Sequence, residues 1–121
     1  MAEYKQYITQ IQEGGNVMIS EDVIATIVEH TMTEVEGVAA FSTKPGADIA
    51  DLIGKNWGKG MRIQIAEDNS VAISCNIVIK YGYSVVDVAK NAQQSVTSAV
   101  ESMTGVKVTG VDVNVCGIVR Q

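Results

Sequence analysis

The chain has 121 residues and a hydrophobic content of 46%, which suffices for the core of one compact domain and leaves no room for a second. Its net charge of −5 argues against general nucleic-acid binding, because that affinity comes largely from neutralising phosphates. No apolar run approaches the roughly 20 residues of a membrane-spanning helix, and the N-terminus lacks a secretory signal pattern. We therefore expect a cytoplasmic protein that does not insert directly into a membrane.

The first half of the chain predicts a polar entry followed by a strand, a helix and a second strand. Residues 1–15 are mostly polar and end in two glycines, so we expect a flexible N-terminal segment ahead of a single domain over residues 16–121. A short strand leads into a helix that Ser20 caps and that Gly37 ends. A further strand is predicted at residues 38–42.

The second half predicts a hairpin, a longer helix and a final strand. Alternating apolar residues indicate strands at residues 61–67 and 71–81, joined by a short polar turn. A helix that Ser84 caps and that Gly105 stops is predicted over residues 84–103, and a valine-rich strand over residues 106–115. The valine alternation changes phase at Gly110, which predicts a β-bulge there.

These elements predict an α+β fold, a small sheet of about four to five mostly antiparallel strands with two helices packed on one face. The chain repeats the order strand, serine-capped helix and strand, which indicates two similar units around a shared sheet. In the strand at 71–81 the odd-numbered residues are apolar and should face the helices. The opposite face is thinly polar, and a face of this kind often packs against another subunit, so we expect a homo-oligomer.

The sequence GKNWGKG at residues 54–60 combines glycine and lysine as phosphate-binding loops do, but it lacks their spacing and a strand pattern follows it where a helix is required. The loop is either a simple entry to the hairpin or an anchor for a partner. In the second case the candidate partner-binding residues are Lys55, Trp57, Lys59 and Arg62, since a single tryptophan flanked by bases is typical of interaction sites. An alternative hypothesis uses the same 54–62 basic loop in a small-ligand or RNA-binding module.

No residues form a recognisable catalytic, metal-binding or cofactor-binding pattern. His30 is predicted at the border of the first helix's apolar stripe, with no nucleophile nearby in sequence. Cys75 is in phase with the apolar face of its strand and is predicted to be a small buried residue, and Cys116 faces the opposite way. The two cysteines lack the spacing of a zinc site. We therefore expect a protein that is not an enzyme and has no cofactor or metal.

The ordered elements resemble those of the alkaline shock protein family, the small cytoplasmic envelope-stress proteins of Gram-positive bacteria. The resemblance runs from about Gly15 to Gly117 and rests on the stretches NVMISEDVIATIVEHTMTEVEGVAAF, KGMRIQI, VAISCNIVIKYGYSVVDVAKNAQQSVTSAVESMTGV and VDVNVCGI. No single motif in them is chemically specific, and the order of the motifs carries the resemblance.

The resemblance implies a non-enzymatic scaffold or adaptor of the cell-envelope stress response that acts by protein–protein interaction and self-association. It also implies a small integral membrane anchor protein as a partner, which would hold the otherwise cytoplasmic protein at the membrane. The family has no established catalytic residues, so the resemblance assigns none here.

Overall fold

The computed structural model describes residues 7–41 and 60–120. Within these ranges the chain forms six strands and two helices, which confirms the predicted α+β fold class. In chain order they are β1 (Tyr7–Gln12), β2 (Gly15–Ser20), α1 (Glu21–Thr33), β3 (Val38–Phe41), β4 (Met61–Ile65), β5 (Val71–Lys80), α2 (Val85–Thr104) and β6 (Val108–Val119).

Strand β5 is the centre of the main sheet. Strand β6 pairs with it in parallel along its whole length, from Val71 to Lys80. Strands β4 and β3 pair with it antiparallel, β4 along its first half and β3 near its end. Because β6 occupies one side of β5 throughout, β3 and β4 lie end to end on the other side. The segment β5–α2–β6 is therefore a true parallel strand–helix–strand unit, which requires a crossover helix.

Two bulges in β6 change which of its residues face the helices. The register between β5 and β6 shifts by one residue at Thr109 and again at Cys116. The first shift lies beside Gly110 and confirms the bulge predicted from the valine pattern. Each extra residue resets the alternation, so Val111, Val113 and later Ile118 pair with helix-facing residues of β5.

The helices have the predicted caps at their starts. The Ser20 hydroxyl accepts a hydrogen bond from the Val23 amide, and the Ser84 hydroxyl accepts one from the Asp87 amide, both at 3.4 Å. Helix α2 ends at Gly105, which has left-handed backbone angles as predicted. Helix α1 ends earlier than predicted, at Thr33, and Gly37 instead closes the turn that leads into β3.

The core lies between the main sheet and the two helices. All odd-numbered residues of β5 from Val71 to Ile79 are buried there, as the alternation predicted. Tyr81 was expected on the same face, but it is exposed because β5 ends one residue before it. The helices contribute Ile24, Ala25, Ile27, Val28, Met32, Val88, Ala92, Val96 and Val100. Branched and small side chains thus form most of the core.

The N-terminal region departs from the predicted flexible segment, because residues 7–12 form strand β1 in an antiparallel hairpin with β2. This hairpin is a separate two-stranded sheet. Its inner face buries Ile8, and the Gln10 side-chain amide donates a hydrogen bond of 2.7 Å to the carbonyl of Thr104 at the end of α2. The Asn69 side-chain amide also donates to the Thr9 carbonyl. These contacts hold the hairpin against the main body.

Candidate interaction surface

The histidine and the two cysteines, the most reactive side chains in the described ranges, lie on three different elements. His30 is exposed on α1, and its Nε2 lies 3.4 Å from Glu34 Oε2, one helical turn later. Cys75 is fully buried in the core as predicted, and burial raises the pKa of its thiol to about 12. This thiol is therefore neutral near pH 7 and is not a nucleophile there. Cys116 is half-buried on β6, and its Sγ lies 3.7 Å from the carbonyl of Asn114.

Two further features bear on function. Across residues 7–41 and 60–120, no three His, Cys, Asp or Glu side chains are grouped so that they could hold a metal ion. Neither helix in those ranges is long and apolar enough to cross a membrane.

Of the four predicted partner-binding residues, the structure places one. Arg62 is an exposed residue of β4, and its cross-strand partner on β5 is Ser74. The other three, Lys55, Trp57 and Lys59, lie outside the described residues. Arg62 therefore connects the predicted loop to a surface whose geometry is known.

That surface is the side of the main sheet that faces away from α1 and α2, which we call the outer face. Its members are the even-numbered residues of β4 and β5 with their neighbours on β3 and β6: Ala40, Arg62, Gln64, Ala72, Ser74, Asn76, Val78, Lys80, Gly110, Asp112, Asn114, Gly117 and Val119. They form rows across the strands. One row is Arg62, Ser74 and Asp112, with a base and an acid on either side of the small central residue.

The centre of the outer face has small or uncharged side chains, and the charged residues lie around it. Only Arg62, Lys80 and Asp112 carry charge in its thirteen residues. The Asn114 amide donates a hydrogen bond of 2.9 Å to the Asn76 side-chain oxygen, so part of its polar surface is already paired. Within the described ranges, both helices pack on the opposite side of the sheet. The outer face thus has an uncharged centre and is without a covering helix in this part of the protein.

Side chains of α2 hold the beginning of β6. The amide of Val108 donates a hydrogen bond of 3.0 Å to a Glu101 carboxylate oxygen, and the Gln93 amide donates one of 3.0 Å to the carbonyl of Val111. These bonds satisfy backbone groups of β6 that β5 does not use. They fix the helix relative to the sheet.

A second surface, which the sequence did not predict as a site, lies where β5 and β6 end. Lys80, Tyr81, Tyr83 and Arg120 line an open cleft of about 390 Å³, which we call the tyrosine–arginine cleft. The signal in the sequence was the pair of tyrosines around Gly82. Arg120 follows Tyr81 by 39 residues in sequence, and only the parallel pairing of β5 with β6 brings it to the same place.

Another cavity, of about 300 Å³, lies between β1, the turn after β4 and the segment before β6. The polar groups of that turn mainly bond each other. The hydroxyl of Ser70 donates to Asp68 Oδ1 at 2.6 Å and the amide of Ser70 donates to the same atom at 3.0 Å. The bond from the Ser70 hydroxyl, followed by the bond from its amide, holds the pKa of Asp68 below its ordinary value. These groups stabilise the turn.

Comparison with known proteins gives one consistent result. Residues 9–120 match the sequence profile of the alkaline shock protein 23 family, which is described as having a cell envelope-related function. Among curated relatives, an uncharacterized protein of Streptococcus pyogenes, Spy1535, is 36% identical over 88% of this chain and 81% of its own length. The uncharacterized protein YqhY of Bacillus subtilis is 29% identical over 86% of this chain and 77% of its own. No solved structure is significantly similar to the chain.

Proposed function

The chain belongs to the alkaline shock protein 23 family of cell envelope-related proteins, and on this basis we propose that it is a non-enzymatic scaffold or adaptor of the cell-envelope stress response. It acts by associating with copies of itself and with other proteins. In this proposal the protein is cytoplasmic, and a small integral membrane protein recruits it to the membrane.

The outer face is the observation that supports this proposal most strongly. Its central rows contain Ala72, Ser74 and Val78, whose small side chains allow a second sheet to approach to about 10 Å, the usual distance between packed sheets. The cores of protein interfaces are depleted in charge, and the middle of this face has the same property, because Ala72, Ser74, Asn76 and Val78 on the central strand are all uncharged. We propose that the outer faces of two copies pack against each other.

The loop at residues 54–62 is the proposed site for a different partner. Trp57 supplies a large apolar anchor, and Lys55, Lys59 and Arg62 supply positive charge on an otherwise acidic protein. Tryptophan and arginine are enriched among the residues that dominate binding energy at interfaces. A partner with acidic residues around an apolar pocket matches this loop.

The RNA- or small-ligand-binding alternative has less support. It requires positive charge, but Arg62 shares its row on the outer face with the carboxylate of Asp112. The overall charge of −5 also opposes a phosphate backbone. We therefore retain the scaffold as the single proposed function.

The test of partner binding compares two variants in a pull-down from solubilised membranes of the source cells. Replacing Trp57 and Lys59 with alanine should lower recovery of the specific membrane partner at least about tenfold, because a buried tryptophan at an interface contributes about 2 kcal/mol or more. The matched variant replaces Met103 and Lys90 with alanine, which removes an exposed apolar residue and a lysine from α2.

Circular dichroism of both variants should equal that of the unmodified protein, so that a loss of capture reports binding. If both variants recover as much membrane partner as the unmodified protein does, the loop has no role in binding. If both variants lose recovery to the same extent, the loss is not specific to the loop, which also contradicts the proposal.

A further inference from the structure

The tyrosine–arginine cleft is built by the ends of two paired strands. Lys80 is the last residue of β5, and Arg120 follows the last residue of β6. The amide of Tyr81 donates a hydrogen bond of 2.8 Å to the carbonyl of Val119, so the strand ends are held together beyond the sheet itself. The positions of the two bases are therefore fixed by backbone pairing at this end of the molecule.

The two bases of the cleft are available to an anion. The Arg120 guanidinium lies over the ring of Tyr81, with its carbon 5.6 Å from the ring centroid, which orients the charge without neutralising it. In the described part of the chain, neither Lys80 nor Arg120 takes part in an ion pair. Helix α2 begins at Val85 beside the cleft, and the N-terminal end of a helix carries partial positive charge.

Exposed apolar side chains surround these charges. Of the twelve large hydrophobic residues that are exposed in the described ranges, six lie at this end: Tyr81, Tyr83, Val85, Val86, Ile118 and Val119. Tyr81 is 69% exposed, Val86 60% and Ile118 53%. They come from the end of β5, the start of α2 and the end of β6. Such a concentration of exposed apolar surface on one end marks a contact site.

We propose that this end of the molecule is a peripheral contact site for an anionic phospholipid surface. Tyrosine, aliphatic residues and bases are the side chains that proteins place at the boundary between headgroups and acyl chains. The phosphate of a headgroup would occupy the cleft between Lys80 and Arg120, and Val86 and Ile118 would enter the boundary region. A planar surface is favoured over an acidic protein because four of the six apolar residues, Val85, Val86, Ile118 and Val119, come from the start of α2 and the end of β6 and are not among the residues that line the cleft.

The two bases make a modest contribution to binding, and they determine which end of the protein faces the anionic surface. Each base near an anionic leaflet strengthens binding about fivefold, so Lys80 and Arg120 together give roughly thirtyfold. Glu36, which lies 3.5 Å from the Tyr83 hydroxyl, and Asp87 in the first turn of α2 weaken that attraction. The apolar residues must therefore contribute, and the acidic remainder of the protein turns away from the surface. This contact shares Lys80 and Val119 with one end of the outer face, and it requires neither the centre of that face nor the loop at 54–62.

The test is co-sedimentation of the purified full chain with vesicles at low ionic strength. Vesicles of equal parts phosphatidylglycerol and phosphatidylcholine should bind the protein, and vesicles of phosphatidylcholine alone should bind it far less. The variant Lys80→Gln with Arg120→Gln should reduce binding by about tenfold or more, which allows for the nearby acids. The variant Lys90→Gln with Lys107→Gln has the same net charge and should bind like the unmodified protein.

A second pair of variants tests the apolar part of the contact. Val86→Ser with Ile118→Ser should reduce binding to the anionic vesicles several-fold, whereas Val17→Ser with Met103→Ser removes comparably exposed apolar residues from elsewhere and should not. The proposal is overturned if anionic vesicles do not bind the protein, or if the two charge variants bind equally. Binding to soluble poly-glutamate without binding to vesicles would also overturn it, in favour of an acidic protein partner.

Discussion

At the scale of single residues, Gly37 is a position where the structure has no room for a side chain. Its φ of +97° lies in the left-handed region, and a Cβ atom there would lie 2.7 Å from Val88 Cγ2 and 2.9 Å from Tyr83 Cδ2. Its carbonyl accepts a hydrogen bond of 2.8 Å from the amide of Lys80. The residue thus lets the turn after α1 lie directly against α2 and the end of β5.

We predict that Gly37→Ala lowers the free energy of unfolding by about 2 kcal/mol more than Gly82→Ala does. Gly82 has a similar φ of +101°, but a Cβ atom added there would meet no other atom within 4 Å, so its substitution costs only the backbone strain of about 1–2 kcal/mol. The additional cost at Gly37 comes from overlap with packed side chains. Urea denaturation of the two variants measures the difference, and equal losses would contradict the close packing around Gly37.

At the scale of elements, strand β1 and its hairpin with β2 were not predicted from the sequence. Ile8 is 1% exposed and belongs to the core, whereas Ile11 on the same strand is 85% exposed. We predict that Ile8→Ala lowers the free energy of unfolding by about 2–4 kcal/mol, because it leaves a cavity in the core. Ile11→Ala should change it by less than about 0.5 kcal/mol. If both variants unfold like the unmodified protein, the hairpin does not contribute to the core.

The main sheet and its helices were predictable because each has a strong periodic signal. The alternation along β5 predicted the burial of Cys75, and Ser84 and Gly105 predicted the ends of α2. The hairpin was missed because its segment is mostly polar, and its short apolar alternation is a weaker signal than the glycines that follow. The turn at Gly14 was in fact the signal of a hairpin, since glycine at a two-residue connection favours one.

The candidate sites were less predictable than the fold, for a physical reason. The cleft joins Tyr81 to Arg120 and the outer face joins Arg62 to Asp112, so both depend on strand pairing over long separations in sequence. The alternation along β5 did predict that its even-numbered face is thinly polar. That pattern offers no means to decide which residues of β6 lie beside the face, because the bulges at Thr109 and Cys116 change the alternation twice.

At the scale of the whole molecule, the positions of the outer face and of the tyrosine–arginine cleft indicate how the two surfaces could act together. The helices cover one side of the main sheet, the outer face lies on the other side, and the tyrosine–arginine cleft lies at the end where β5 and β6 finish. Association through the centre of the outer face would leave Tyr81, Tyr83 and Arg120 of the cleft free in each copy, although Lys80 and Val119 lie at the border of the two surfaces. Several copies held together could then present their cleft ends jointly, and linked weak contacts bind a surface far more tightly than single ones.

Sedimentation velocity over a range of protein concentrations tests whether the protein assembles through its outer face. The unmodified protein should sediment as a species larger than the 12.9 kDa single chain. The variant Ala72→Lys with Val78→Lys should sediment as the single chain, because it places two bulky charges in the centre of the face. The variant Gln94→Lys with Ser98→Lys adds the same charge to exposed positions of α2 and should behave like the unmodified protein. Assembly through the outer face is contradicted if the unmodified protein remains a single chain at every concentration. It is also contradicted if the outer-face variant assembles normally.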